Sequence, residues 1–192
     1  MTARPPDGGG DGPRVLCVAG DSGSGKTALL RRLLRRLDLP PDRVGVVKHT
    51  HHRIDWHPAG KDSALLWEAG PGALCVAGPD QSALFVRRDG GAEEATRRLV
   101  EACRRLPPGI RLVLAEGFRD ARAPKVWTAA GGPPGPDPPA VGIRAVVAPG
   151  DRAGAWRALL PEAEVMDPAE AAEALAPRAE AWAAPLPEPG AG

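Results

Sequence analysis

The stretch VLCVAGDSGSGKT, residues 15–27, decides which fold this chain is expected to adopt. Residues 15–19 are an apolar, strand-like run, and the eight residues from Gly20 to Thr27 match the pattern G-x-x-x-x-G-K-[ST]. A strand that leads through such a loop into a helix is the setting in which this pattern binds phosphate. The predicted nucleotide-binding residues are Gly20, Asp21, Ser22, Gly23, Ser24, Gly25, Lys26, Thr27 and Ala28.

Each part of this loop has a chemical role. Glycines allow unusual φ angles and let backbone N–H groups approach phosphate oxygens closely. Lys26 supplies a compact ammonium for the β- and γ-phosphates and is the first predicted catalytic residue, while the Thr27 hydroxyl is placed to ligate Mg²⁺. The N-terminus of the following helix adds a favourable partial charge. The loop therefore predicts that the chain binds a nucleoside triphosphate.

Outside this loop, apolar strand-like runs alternate with helical patterns. The strand-like runs are residues 15–19, 44–47, 73–77, 83–86, 110–115, 125–128 and 144–148. The helical patterns are residues 26–37, 62–69, 93–106, 154–160 and 168–183, the last interrupted at Pro177. Continuous apolar runs are typical of strands that are buried on both faces of a parallel sheet. The alternation predicts an α/β, P-loop NTPase-like fold with a mainly parallel sheet and flanking helices, to which residues 73–86 add antiparallel strands.

Glycine and proline are concentrated in three segments. We expect residues 1–13 to be disordered, residues 131–139 to form a Pro/Gly-rich loop, and residues 185–192 to form a loose tail. Between them we expect one P-loop nucleotide-binding domain over residues 14–166. An Ala-rich helical segment and the Pro/Gly tail would follow over residues 167–192.

The composition argues against several classes of protein. The 25 basic and 24 acidic residues leave a formal net charge of +1, which argues against non-specific nucleic-acid binding. The longest apolar runs have about five residues, whereas a membrane span needs ~20, and the N-terminus shows no apolar leader segment. Cys17 and Cys75 lie inside apolar runs and are expected to be buried, inert thiols. We expect a cytoplasmic protein that contacts neither nucleic acid nor a membrane.

A second candidate element follows residues 110–115, where Glu116 precedes Gly117 and Phe118. In a parallel sheet, the loops at the carboxyl ends of the strands gather at one edge, where ligands bind. An apolar strand that ends in a carboxylate has the form of a Walker B element, whose acid holds Mg²⁺ directly or through water. Glu116 is therefore the second predicted catalytic residue and, with Thr27, a predicted Mg²⁺ ligand.

The loop after residues 44–47 carries all four histidines of the chain. A metal site is one interpretation, but the spacing lacks the Cys or Glu partners of a well-defined zinc site. Contact with an anionic ligand or a partner is therefore favoured. Asp62 is equally well interpreted as the N-cap of the following helix, and Arg53 is expected to be an exposed charge. The residues assigned to this second loop are Lys48, His49, His51, His52, Asp55, Lys61 and Asp62.

Three segments together resemble the molybdopterin-guanine dinucleotide biosynthesis protein B family, of the MobB type. They are GDSGSGKTALL (residues 20–30), VKHTHHRIDWHPAGKDSALLWEAG (47–70) and LVLAEGFRDARAPKVW (112–127). The second segment is the most specific, because few families combine K-H-T-H-H with a following G-K-D-S and E-A-G. The resemblance covers roughly residues 14–150. The chain departs from the family pattern at Arg53 and His57, where acids are expected, at Ala59 in place of Pro, and at Arg119 in place of Lys.

The resemblance implies a GTP-binding P-loop protein with weak, Mg²⁺-dependent GTPase activity that usually forms a homodimer. It implies GTP and Mg²⁺ as cofactors and, as partner, the guanylyltransferase that joins GMP to molybdopterin in molybdenum cofactor biosynthesis, with molybdopterin as a further candidate ligand. The matching residues are Gly23, Gly25, Lys26 and Thr27 in the first segment, His51, His52, Asp55, Lys61 and Asp62 in the second, and Glu116 and Gly117 in the third.

Two other functions stay open from the residues alone. A P-loop small-molecule kinase would use Asp55 or Asp62 as the base that accepts a substrate proton, and a metal-insertion GTPase would use the histidine cluster. Guanine preference does not follow from the residues, since the sequence contains no N-K-x-D element. Asp151, just past residues 144–148, could accept hydrogens from the guanine edge, but a plain turn carboxylate is the favoured interpretation.

Overall fold

A computed structural model describes residues 12–50, 62–87, 95–133 and 139–187. The chain divides into two compact units, Met1–His49 with Glu93–Gly192, and Thr50–Ala92. In chain order the elements are β1 (Arg14–Gly20), α1 (Lys26–Leu34), β2 (Val44–Lys48), α2 (Asp62–Glu68), β3 (Ala73–Ala77), β4 (Ser82–Val86), α3 (Ala95–Arg104), β5 (Leu112–Glu116), β6 (Lys125–Thr128), β7 (Ile143–Val147), α4 (Ala153–Leu159), β8 (Glu164–Met166), α5 (Ala171–Leu175), α6 (Ala179–Trp182) and β9 (Ala184–Pro185). Short 3₁₀ turns are formed by Pro41–Arg43, Gly150–Arg152 and Ala176–Arg178.

The larger unit is built on a sheet in which six strands run parallel in the order β2-β5-β1-β6-β7-β8. The short strand β9 runs antiparallel beside the first residues of β1. The predicted α/β fold with a mainly parallel sheet, flanking helices and an added antiparallel pair is confirmed. Because carboxyl ends of parallel strands meet at one edge, the segments that follow β2, β5, β1 and β6 are neighbours there.

The central strand β1 is apolar throughout because both of its faces are covered. Leu16 and Val18 lie in a core cluster with residues of α1, whereas Val15 and Cys17 lie in a second cluster with Cys103 of α3. Burial raises the pKa of Cys17 to about 12 and that of Cys103 to about 11, which suits inert thiols. This two-sided burial is why the sequence shows continuous apolar runs and no alternation.

The segment after residue 166 packs into the core of the larger unit. The predicted helix over residues 168–183 is divided into α5, a 3₁₀ turn and α6, since Pro177 has no amide hydrogen to continue a helix. Its buried side chains share one cluster with Leu29 and Leu33 of α1; they are Ala171, Ala172, Leu175, Ala179 and Ala183. The Ala-rich composition therefore allows a close approach to α1 and the sheet.

The smaller unit contains α2 and the antiparallel hairpin β3–β4. Within it, the Trp67 ring lies 6.2 Å from the Phe85 ring, and the Arg87 guanidinium lies 4.1 Å from the centroid of Trp67. Cys75 on β3 is exposed, so the expectation that it is buried is wrong. A two-stranded hairpin does not bury a face by itself, and most positions of both strands are exposed.

Some predicted segments fall outside the part of the chain that the structure describes. These are residues 1–11, 134–138 and 188–192, so the expected disorder, irregular loop and tail stay predictions. In the described ranges, no helix is both long and apolar enough to cross a lipid bilayer.

Candidate functional site

The phosphate loop joins β1 to α1 with the backbone geometry that its glycines permit. Gly25, directly before α1, has φ of 89°, in the left-handed region that favours glycine. At Gly20 a Cβ would lie only 2.2 Å from the Thr128 carbonyl oxygen, so β6 can approach the start of the loop only because this residue lacks a side chain. The N-cap residue of α1 is Gly25, which has no side chain that could cap the helix. Its first N–H groups are therefore available to an anion.

Lys26 folds back over its own loop. Its Nζ donates hydrogen bonds to the carbonyl oxygens of Gly20, at 3.0 Å, and Asp21, at 2.5 Å. These bonds hold the ammonium over the loop, where a compact positive charge would meet the phosphate oxygens. The predicted role of Lys26 is consistent with this position.

The two predicted Mg²⁺ ligands, Thr27 and Glu116, are in direct contact. The Thr27 hydroxyl donates to the Glu116 carboxylate, with Oγ1 at 2.8 Å from Oε1 and 2.9 Å from Oε2. Glu116 is 7% exposed and pairs in register with Val18 of β1 and Lys48 of β2. Strand order thus brings together side chains that lie far apart in sequence.

Lys48 completes this group of polar side chains. Its Nζ lies 2.7 Å from Glu116 Oε1 and 3.5 Å from Thr27 Oγ1. Carboxylate and hydroxyl oxygens at this spacing suit Mg²⁺, which binds through one or two carboxylates together with substrate phosphates. The donor set therefore fits the implied cation, and the Lys48 ammonium lies where it neutralises the Glu116 carboxylate.

The turn after Glu116 is held by its neighbours. The Gly117 N–H donates to the Val18 carbonyl and the His49 N–H to the Glu116 carbonyl, both at 2.9 Å. Phe118 has φ of 53°, sparsely populated by residues other than glycine. Its side chain is buried, and its ring lies 5.2 Å from the His49 ring. This turn positions Glu116 at the edge of the sheet.

A second polar contact lies on the β6 side of the loop. The Ser24 hydroxyl lies 2.7 Å from the Thr128 hydroxyl, which donates to the Ala19 carbonyl at 3.2 Å. The sequence interpretation did not identify Thr128 as part of the site. A hydroxyl at the end of the strand beside β1 is the only sequence signal that points to it.

Lys125 occupies a buried position that the sequence did not explain. Its Nζ donates to the carbonyl oxygens of Ala121, Ala123 (2.9 Å) and Val141 (3.1 Å). Burial lowers the pKa of this lysine, although Cys17 and Asp120 nearby act in the opposite direction. Lys125 therefore ties the turn after Glu116 to the segment before β7.

The remaining second-loop residues are placed only in part. His51, His52, Asp55 and Lys61 lie outside the described residues, so the metal-site and kinase interpretations that need them stay untested. Asp62 is the exposed first residue of α2 in the smaller unit. Nowhere in the described ranges do three or more His, Cys, Asp or Glu side chains form a metal-binding group.

Two further residues singled out in the sequence lie in exposed positions. Asp151 belongs to the 3₁₀ turn Gly150–Arg152 and pairs with Arg152 Nε at 3.1 Å. Arg119, the departure from the resembled pattern, lies 5.3 Å from the Trp127 ring centroid and donates to the Pro139 carbonyl at 3.3 Å. Neither position provides a contact to the phosphate loop.

Comparisons with known proteins agree with the sequence resemblance. The profile of a family described as molybdopterin guanine dinucleotide synthesis protein B matches residues 15–134. A molybdopterin-guanine dinucleotide biosynthesis adapter protein of Haemophilus influenzae is 35% identical over 118 residues, which are 58% of this chain and 61% of the relative. The Escherichia coli adapter protein of the same description is 36% identical over 112 residues, 58% of this chain and 63% of the relative.

The structural comparison gives the same fold. A crystal structure of molybdopterin-guanine biosynthesis protein B is 25% identical, with a TM-score of 0.56 over 85% of this chain and 95% of the other. This chain spans less than two thirds of the length of the two curated relatives that it matches.

Proposed function

This chain belongs to the family of molybdopterin guanine dinucleotide synthesis protein B, and from that premise we propose that it is a GTP-binding adapter in the formation of molybdopterin guanine dinucleotide. It binds GTP with Mg²⁺ and hydrolyses it slowly. The observation that carries the nucleotide part of this proposal is the hydrogen bond beside the phosphate loop from Thr27 Oγ1 to Glu116 Oε1, which are 2.8 Å apart.

The loop supplies the groups that a triphosphate needs. The N–H groups at the start of α1 and the Lys26 ammonium would meet the phosphate oxygens, and Thr27 and Glu116 would hold the cation. Mg²⁺, when bound, neutralises charge on the β- and γ-phosphates. The chain's own contribution is therefore to orient the phosphates and their cation.

The hydrogen bonds of Glu116 support the proposal of slow hydrolysis. Its carboxylate accepts hydrogen bonds from Thr27 and Lys48, which suits a ligand for a cation better than a base that activates water. Acceleration would then come from positioning and electrostatics alone, without a covalent intermediate. We expect turnover far below the roughly 10 s⁻¹ that is typical of enzymes.

The partners are proposed from the family. We propose that the chain works in the cytoplasm with the guanylyltransferase that joins GMP to molybdopterin, and that molybdopterin is a further ligand. A homodimer is supported by large apolar side chains exposed in the smaller unit, which include Leu65, Leu66, Val76, Leu84 and Val86. Exposed apolar side chains of this kind mark surfaces of association.

The test is isothermal titration of GTP and ATP, with and without Mg²⁺, on the wild type and on Lys26→Ala. We expect GTP to bind the wild type and Mg²⁺ to strengthen binding. Lys26→Ala should weaken binding at least tenfold, because a charge-assisted phosphate contact contributes roughly 1.5–3 kcal/mol.

The matched control is Arg31→Ala, which removes a positive charge from the same helix at an exposed position. It should bind nucleotide as the wild type does. Wild-type affinity in Lys26→Ala, or GTP turnover of hundreds per second by the isolated protein, would contradict the proposal.

A further inference from the structure

A cavity of about 130 Å³ opens beside the phosphate loop on the β6 side of β1, opposite to β5 and Glu116. One ordered water needs only ~10–15 Å³, so the cavity has room for a larger group. Its walls come from α1, the ends of β6 and β7, and the segment before α5. They include Ala28, Leu29, Arg32, Ala129, Val147 and Pro168.

The position of this cavity relative to the loop indicates which part of a nucleotide would reach it. In a phosphate loop the lysine reaches the β- and γ-phosphates, while backbone N–H groups hold the α- and β-phosphates. Thr27 and Glu116 would hold the cation, and hence the γ-phosphate, on the β5 side. The nucleoside leaves the α-phosphate at the other end of the triphosphate. We therefore expect the nucleoside on the β6 side, in the cavity that Ala28 lines.

Arg32 contributes a guanidinium to the lining of this cavity. Its Nη2 donates to the Pro168 carbonyl oxygen, whereas its Nε is buried and makes no hydrogen bond within the described residues. A buried donor without an acceptor is unfavourable, so the Arg32 guanidinium gains a hydrogen bond if it turns this Nε toward an acceptor on a ligand in the cavity.

We propose that this cavity holds the nucleoside end of the nucleotide and that Arg32 selects guanine by donating from its guanidinium N–H groups to the O6 and N7 edge of the base. Arginine pairs well with these two acceptors, whereas adenine presents an amino group in place of O6. The assignment rests on the proposed binding of GTP. Val147 and Pro168 lie beyond the matched residues 15–134, so the C-terminal part of the chain completes the site.

The test compares Arg32→Met with Arg36→Met by titration with GTP, ATP and tripolyphosphate. Arg36, in the turn after α1, is a matched control because its Nε pairs with Glu173 of α5 at 2.6 Å, but it is not among the residues that line the cavity. We expect the wild type to prefer GTP over ATP by about tenfold. Arg32→Met should lose that preference through weaker GTP binding and keep its affinity for tripolyphosphate, while Arg36→Met should behave as the wild type.

A second measurement changes the ligand and leaves the protein intact. 7-Deaza-GTP lacks the N7 acceptor, and the triphosphate of 2-aminopurine riboside lacks O6, so both should bind the wild type more weakly than GTP. Equal affinity for GTP and both analogues, or an unchanged GTP preference in Arg32→Met, would overturn the assignment of Arg32 and leave the proposed GTP binding intact. A wild type that binds tripolyphosphate but neither nucleotide would overturn both.

Discussion

The carboxylate of Glu116 pairs with Lys48 and is also the proposed ligand of Mg²⁺. The Lys48 ammonium lies 2.7 Å from Oε1, with Lys48 itself largely exposed, and the proposed Mg²⁺ uses the same carboxylate. A magnesium ion bound at Oε1 would compete with Lys48, whose ammonium could then turn toward the added phosphate charge. Lys48 would thus balance the charge of the site before and after the nucleotide binds.

This competition predicts the effect of Lys48→Met on Mg²⁺ binding. Without the competing ammonium, Mg²⁺ should bind the protein–GTP complex about two- to fivefold more tightly, since exposed ion pairs contribute up to about 1 kcal/mol. The measurement is the Mg²⁺ concentration at half-saturation, followed with a fluorescent GTP analogue.

Lys48→Arg is the control, because it keeps a positive charge beside Glu116 and should leave the midpoint close to that of the wild type. An unchanged or higher midpoint in Lys48→Met would show that the ammonium does not compete with the metal ion.

At the scale of elements, α5 packs against α1. Leu175 is fully buried among Leu29 and Leu33, and the same segment carries Pro168, whose carbonyl oxygen accepts from Arg32. The helix that begins at the phosphate loop is therefore packed on one side by residues far along the chain. The stability of α1 and the shape of the proposed nucleoside pocket depend on this packing.

Leu175→Ala should therefore lower the free energy of unfolding by about 2–5 kcal/mol, as is typical for removing a buried leucine side chain. Chemical denaturation monitored by circular dichroism measures this change. Val141→Ala, at an exposed position, should change the free energy of unfolding by less than about 0.5 kcal/mol. A similar small effect of Leu175→Ala would mean that α5 does not pack on α1 in solution.

At the scale of the whole molecule, buried thiols make the larger unit sensitive to alkaline pH. Burial raises the pKa of Cys17 from 9.0 to about 12, so the folded protein keeps this proton where the unfolded chain has lost it. Between pH 9.0 and about 12 the unfolded state binds fewer protons than the folded state, so the free energy of unfolding falls as the pH rises. Lys125 has the opposite effect on stability. Because its pKa is lowered in the fold, the unfolded chain binds more protons just below the ordinary pKa of 10.5, and this contribution to stability rises with pH.

Cys17→Ala isolates the thiol contribution. One unit of pKa shift corresponds to about 1.4 kcal/mol, so between pH 9 and 10.5 the wild type should lose on the order of 1 kcal/mol per pH unit more than the variant does. Denaturation at a series of pH values measures the two slopes. The exposed Cys75→Ala should retain the wild-type slope, and identical slopes for wild type and Cys17→Ala would contradict the prediction.

Much of the fold and of the phosphate site is local in sequence and was predictable for that reason. The loop from Gly20 to Thr27 is one contiguous segment whose geometry depends on its own glycines. The strands of the sheet were recognisable as continuous apolar runs because both faces of the sheet are covered. The exception is Cys75. It lies in an apolar run like those of the sheet, but this run forms one strand of a two-stranded hairpin, which does not bury its residues by itself.

The sequence by itself therefore determined the α/β class, the phosphate loop, the candidate cation ligands and the family to which the chain belongs. Only the tertiary structure decided that Lys48 pairs with Glu116 and that the Thr128 hydroxyl contacts the Ser24 hydroxyl. It also decided that Arg32 and Pro168 line the same cavity. The physical reason is that these contacts join residues up to 136 positions apart. They depend on strand order and on how α5 packs against α1, neither of which leaves a local pattern in the chain.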